Sequence, residues 1–457
     1  IEENGWPLLF SALTTMAALF SFLLIPIRPI RWVGVSAASL VGVTYLLVII
    51  LLPSLLSFGK DREPENRYAE KEDRLLERIL DRLGHRILSR PKIILVLFVL
   101  FTVICLLGIS KFEVASDYRR TMGLKIPYIA RIDAISKTPV GSLYAYDVAI
   151  EFVRAGAAKD PENLRKFEQL VDEVKTFELT KKVGSLLDII KDMNQVLNNE
   201  DPAFYRIPER REMIAQLLLL YEQAGGVEAE NWVDYEYQRL RLMVEISDYN
   251  SKEATRELRL IEQRAKALFP GAKVVLIGST AQFSVMIDYV TWGQMRSFFI
   301  ALVVVGLLMI VVFGSVKIGL IAMIPNVSPA LAVGGIMGFA GIPLDIMTVT
   351  IVPMLLGLAV DDTIHFITHY QLEYARTGSY KTSTRRVFKT VGVALFLTSM
   401  VLVLNFSAYL ASLAKAYIHM GILVPVGILA ALAADYFMTP VLFDYFRPFT
   451  KGEQQKK

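Results

Sequence analysis

The sequence predicts a polytopic α-helical membrane protein, with about eight transmembrane helices and one extracytoplasmic α/β domain of ferredoxin-like (split βαβ) type. Three observations predict it. The first is composition: of 457 residues, 54% are hydrophobic and 21% charged, and mean hydropathy is +0.44. A soluble chain carries about 25% charge and a smaller apolar share. The second is segregation. The chain has 49 Lys and Arg and 45 Asp and Glu; 53 of these fall in residues 111–292 and only 5 in 296–370. The third is the recurrence of apolar runs of roughly 20 residues, enough to cross about 30 Å of hydrocarbon.

Composition also excludes. A net charge of +4, dispersed along the chain, gives no basic face for nucleic acid. The one cysteine, Cys105, allows no disulfide within the chain and no cysteine metal cluster. The sequence opens at Ile1 and runs almost directly into an apolar stretch without a basic leader. It therefore reads as a fragment or a processed piece.

The expected spans run near 6–26, 32–55, 91–110, 296–314, 319–340, 346–368, 391–412 and 418–443. Residues 1–58 hold the first two and 59–90 form a charged connector. Residues 91–110 are one span, 111–292 the polar domain, 293–447 a five-helix bundle and 448–457 a tail. Charge sets the orientation. Connector 59–90 has nine Lys and Arg, connector 371–390 has Arg376, Lys381, Arg385, Arg386 and Lys389, and the tail is basic. The positive-inside rule puts these in the cytoplasm and 111–292 on the periplasmic or extracellular side. Arg28 and Arg31 break the rule locally.

Within the connector, Asp73–Ser89 sets Leu75, Leu76, Ile79, Leu80, Leu83, Ile87 and Leu88 on one helical face and Arg74, Arg78, Arg82 and Arg86 on another. That pattern predicts a helix lying on the membrane surface, with partner docking as the alternative. In the polar domain, periodicity predicts strands at 143–153, 235–246 and 272–277. It predicts helices at 161–176, 185–197, 208–223 and 252–268. Strand–helix, a helical insertion, then strand–helix–strand is the split βαβ pattern.

Residues 1–58 repeat near the end at an offset of 387: Gly5 falls on Gly392, Ser11 on Thr398, Gly34 on Gly421 and Pro53 on Pro440. Internal repeats are common in transporters whose halves rock about a central site. Residues 1–58 then read as the last helix pair of a first repeat.

The chemistry sits in span 346–368. Asp361 and Asp362 lie about 6 Å from its centre. An acid at that depth costs on the order of 3 kcal/mol, tolerated for function or for tight pairing. Two adjacent carboxyls in low dielectric do not both stay ionised. Asp361 and His365 are four residues apart and share a face, Asp362 and His365 are three apart, and His369 lies one turn further. The set suits a proton relay. Thr398 and Asp435 fall at similar depth on later spans, and Asn405 lies two turns outward from Thr398. The plainer alternatives are a structural acid pair, a satisfied core His365, a solvated His369, Thr398 bonded to its own helix, and Asp435 facing headgroups or another helix. No zinc motif accompanies the histidines, so neither metal nor cofactor is expected. Gly334–Gly338 suits close helix packing, and Pro325, Pro329 and Pro353 suit kinks.

The run Gly-Leu-Ala-Val-Asp-Asp-Thr-Ile-His-Phe at 357–366 resembles the signature of the resistance–nodulation–division (RND) superfamily, in its hydrophobe- and lipid-exporting MMPL-type branch. Ile324-Pro325-Asn326 with Pro329 is similar to that family's preceding helix. One helix, a polar domain, then five helices resembles one RND half from residue 91 onward, and 1–58 looks like the end of the other half. The resemblance implies a proton-driven exporter in the cell inner membrane, with its porter domain in the periplasm and Asp361 and Asp362 as proton carriers beside His365 and Thr398. The chain departs from the family's twelve helices and two porter domains.

A porter block of about 180 residues (111–292) also looks too short for an outer-membrane channel partner. The implied cargo is a lipid or another hydrophobic molecule, with a homo-oligomer or a periplasmic lipid carrier as partner. The coupling ion is H+, with Na+ left open. The alternative is a non-transporting lipid- or sterol-sensing receptor or assembly helper of the same fold. An enzyme is not expected, because no G-x-S-x-G, Walker A or metal motif lies near the acids.

Overall fold

The structure, a computed structural model, describes residues 5–25, 28–58, 69–113, 118–139, 141–142, 144–225, 230–246, 251–345 and 347–449. The side chains of 5–7, 56, 69–77, 118, 251, 283–285, 287–288, 290–291 and 294 are not described. In chain order the elements begin with α1 (Gly5–Phe20), α2 (Arg28–Ser57), α3 (Ala69–Ser89), α4 (Pro91–Ile109), α5 (Tyr118–Met122) and α6 (Pro127–Ser136). Then come β1 (Tyr144–Glu151), α7 (Pro161–Lys175), β2 (Thr180–Ser185), α8 (Leu186–Leu197), α9 (Arg211–Gln223), β3 (Arg239–Ile246), α10 (Ser251–Leu268) and β4 (Lys273–Ile277). The chain continues through α11 (Ser279–Phe313), α12 (Val316–Ala340), α13 (Ile351–Thr377), α14 (Tyr380–Val387), α15 (Val393–Ser407), α16 (Lys415–Ala433) and α17 (Thr439–Phe446). They form two compact units, Ile1–Val114 with Tyr289–Lys457, and Ala115–Asp288.

In the α/β unit, four antiparallel strands lie in the order β2-β3-β1-β4. Strand β3 alternates buried and half-exposed residues, so Leu240, Leu242, Val244 and Ile246 all face the core. Helix α7 starts on Pro161, whose missing N–H costs nothing there. It buries Leu164, Phe167, Leu170, Val171 and Val174, while α10 buries Leu258, Ile261 and Ala265 against the same cluster. Ser185 caps α8 through a capping box with Asp188. Strand β2, to which the sequence pattern assigns no element, is an edge strand with two adjacent lysines and one apolar residue, Val183. Strand β3 starts four residues later than expected, because Asp234 Oδ1 accepts from the backbone N–H of Gln238 and Arg239 at 2.7 Å and forms a turn.

In the helical unit, seven helices among the described residues are long and apolar enough to cross a membrane. The eighth expected span, 6–26, is a shorter apolar helix over Leu8–Leu24. Its last turn is 3-10, Ser21 bonds back to Ala18 O at 2.6 Å, and Ile25 is extended. Helices α12 and α13 are the most buried spans among the described residues, with 61% of the apolar stretch of each buried against 6% for that of α2. Helix α12 carries Pro325 and Pro329 internally. Pro353 lies in the first turn of α13, where no N–H bond is lost, so the expected kink is not required there. Glycine shapes the contact between α4 and α12. A Cβ on Gly338 would lie 1.8 Å from Gly108 O, and one on Gly335 2.9 Å from Cys105 Cα. Gly335 and Gly338 make the backbone approach; Gly334 meets only the Ile109 side chain, at 3.0 Å.

Helix α3 does not rest its apolar face on the membrane surface. Leu80 and Ile87 are buried in the bundle's own core, and a Cβ on Gly84 would lie 3.5 Å from Phe388. Asp81 accepts twice from Arg385 at 2.8 Å and lies 3.7 Å from Lys389. The acid on the polar face thus has basic partners on the bundle, which favours protein over lipid beneath the helix. The side chains of Arg74, Leu75 and Leu76 lie outside the described residues.

The offset of 387 recurs in the backbone. The 3-10 turn Ser21–Leu24 maps onto the 3-10 turn Ala408–Ala411, and the start of α2 at Arg28 onto the start of α16 at Lys415. A Cβ on Gly34 would come within 2.7 Å of Phe22, and one on Gly421 within 3.2 Å of Tyr409, the equivalent residue. The copies diverge at Ala434–Met438, a π-turn carrying Asp435, where the first copy is α-helical and has Val48.

Candidate functional site

One pocket of 430 Å³ in the helical unit takes in Asp361, Asp362, His365 and His369 of α13 together with Thr398 of α15. Its remaining walls are aliphatic, among them Leu8 of α1, Leu402 of α15 and Ile428 of α16. The helical spacing of the sequence is what aligns the acid and imidazole side chains. Asp361 Oδ1 lies 3.5 Å from His365 Nε2, an ion-pair contact looser than a hydrogen bond. Gly357, one turn before Asp361, faces α1; a Cβ there would meet Thr15 and Ala18 at 3.6 Å, an ordinary contact.

Thr398 lines the pocket while its hydroxyl donates to Leu395 O at 3.1 Å, within its own helix. Next to it, Ser399 turns toward Asp362 without reaching hydrogen-bond geometry. The π-helical stretch Phe388–Gly392, just before α15, shifts that helix's register by one residue. Asn405 is exposed on α15 and does not line the pocket.

Asp435 lies behind α13, away from the pocket lining. It is 1% exposed, close enough to Asp362 to interact electrostatically, and its Oδ1 is 2.8 Å from Thr363 Oγ1. Thr363 Oγ1 in turn lies 3.0 Å from Asn326 Oδ1 of α12. Thr363, Asn326 and Ser399 are polar groups that sequence reasoning gave no role. The available signal was a hydroxyl or amide in each of three consecutive apolar spans. The arrangement offers two half-buried carboxyls and a fully buried one, one imidazole in contact and hydroxyls nearby, all groups able to hold or pass a proton.

Membrane-length helices around an acid-lined internal pocket define a multi-pass membrane protein with ionisable groups at its core. The profile of the MMPL family matches residues 146–456, more than half of the chain, and the protein belongs to that family, whose members are transporters. It is also similar to a protein of Methanocaldococcus jannaschii described as a membrane protein. The two are 22% identical over 388 residues, covering 80% of this chain and 94% of the relative.

Proposed function

We propose that this chain is a proton-driven MMPL transporter that moves lipids or other hydrophobic molecules out of or across the inner membrane. The observation that carries the proposal is the pocket joining Asp361, Asp362, His365 and Thr398 inside an apolar bundle. A proton entering there neutralises one of two adjacent like charges, the largest electrostatic change available in the bundle. His365, 3.5 Å from Asp361, relays it or receives it. Equivalent helices of the two repeats lie beside this region, α1 and α16 packed on α13 and α15 lining the pocket, a geometry suited to two alternative arrangements.

The sheet order β2-β3-β1-β4, with α7 and α10 packed together, supports reading the α/β unit as a split βαβ porter domain. By the positive-inside rule it lies outside the cytoplasm, on the periplasmic or extracellular side. In this reading it opens and closes a path for cargo in step with the bundle. Among the described residues no Lys or Arg pairs with Asp361 or Asp362, and the contact at Asp361 is with His365, itself able to take or give a proton, which supports a titrating role over a static ion pair.

The test is transport by the purified protein in proteoliposomes, with lipid that co-purifies as cargo. An imposed pH gradient drives transport and a protonophore stops it. Transport that ignores the pH gradient but follows a sodium gradient assigns the coupling to Na+ and contradicts the proton reading.

A further inference from the structure

Asp435, Thr363 and Asn326 form a hydrogen-bond chain whose polarity is fixed at one end. Asn326 Nδ2 donates to Ala322 O at 2.9 Å. A carbonyl only accepts, so the amide nitrogen points to Ala322 and the amide oxygen, Oδ1, points to Thr363. That oxygen also only accepts. Thr363 Oγ1 is 3.0 Å from it and 2.8 Å from Asp435 Oδ1, yet the hydroxyl has one hydrogen. If that hydrogen goes to Asn326, the short contact with Asp435 needs a second hydrogen, and only the carboxyl can supply it. We infer that Asp435 is a proton-binding residue held in its acid form, donating to Thr363, which donates to Asn326, which donates to Ala322 O.

The surroundings agree. Asp435 Oδ2 is buried without a hydrogen-bond partner, a poor place for an ionised oxygen. Facing it are Asp362 and Thr363 from α13, Asn326 from α12, and Tyr436 and Thr439 from its own stretch. Tyr436 O–H is committed to Gly392 O. From α4 the neighbouring groove shows Phe98 and Phe101, which are apolar. Among the described residues, no Lys, Arg or His pairs with Asp435.

The backbone also explains why the acid reaches this position. The π-turn Ala434–Met438 is absent from the matching first-copy helix, which has Val48 at this place. The site is therefore specific to the second repeat. It extends the relay of the proposed function to a third carboxyl, next to Asp362 but outside the pocket. Loss of its proton would turn the Thr363 hydrogen toward the carboxylate and strip Asn326 Oδ1 of its donor. The charge state of α16 is thereby tied to α13 and α12.

The test is infrared spectroscopy of the full chain in lipid at pH 7, reading the C=O band of protonated carboxyl groups. The account expects one such band from Asp435, beside any band that the Asp361/Asp362 pair contributes. It disappears in Asp435→Asn, persists in the Asp361→Asn, Asp362→Asn double variant, and moves to higher frequency in Thr363→Val, where the acid O–H loses its acceptor. A band unchanged by both Asp435→Asn and Thr363→Val overturns the inference. So does a band removed only by the double variant, which leaves the pocket relay standing. Should Asp435→Asn fail to fold, the Thr363→Val shift decides alone.

Discussion

Replacing Gly338 by alanine adds one methyl group at the tightest helix crossing in the membrane unit. The new Cβ would lie 1.8 Å from Gly108 O and 2.6 Å from Gly108 C, whereas ordinary contact begins at 3.4 Å. Both atoms are backbone, so neither can rotate away, and α4 and α12 must part by on the order of 1.5 Å. Overpacking of this kind costs about 1–3 kcal/mol, and alanine's better helix propensity returns up to about 1 kcal/mol. The net expectation is a loss of about 1–2 kcal/mol. Gly306→Ala is the matched control: its Cβ would meet only Met323 Cγ at 3.7 Å, so propensity acts alone and stability holds or rises. Thermal unfolding of both variants beside the parent, in one detergent, reads the difference. A Gly338→Ala protein as stable as the parent, or a Gly306→Ala protein that falls equally far, refutes the packing argument.

Arg385→Gln should loosen α3, seen as faster amide exchange over 78–89, at a cost below about 1 kcal/mol because the pair is partly exposed. Hydrogen bonds from Arg385 hold the Asp81 carboxyl below its ordinary value of 3.8, so this support is present above that pH and fades as pH falls below it. In the α/β unit the sign reverses: burial raises Glu257 above its ordinary 4.5, and its Oε2 has no partner. The folded unit therefore gains stability as pH falls toward 4.5 and loses it as pH rises, and Glu257→Gln should stabilise it at pH 7. Exchange protection of β1 and β3 in the full chain, followed against pH, checks this; a Gln variant that is less protected at pH 7 contradicts it.

The elements that were readable in advance are those with a strong period. Helix α7 was placed to within a residue by its apolar spacing, and β3 by strict alternation, apart from the turn at Asp234. Strand β2 was not readable, because an edge strand with three partly exposed lysine, threonine and glycine positions carries little apolar signal. Spacing also aligned the α13 side chains, since residues three and four apart share a face whatever surrounds the helix. It could not show that α3 would find Asp81 a partner on α14, a contact between residues 304 apart. Nor could it show the π-turn that redirects Asp435, because a one-residue insertion into a helix leaves no composition change. Asn326 and Thr363 escaped notice for a related reason. Their importance lies in which helices face each other, and no single span records that.

The central claim, that the carboxyls at 361 and 362 carry the coupling proton, is tested most directly by measuring pH-gradient-driven lipid transport in proteoliposomes containing the Asp361→Asn, Asp362→Asn protein. The account predicts transport at the level of protein-free vesicles, from a chain that still inserts and unfolds at the parent temperature to within a few degrees. Gradient-driven transport at the parent rate would contradict it.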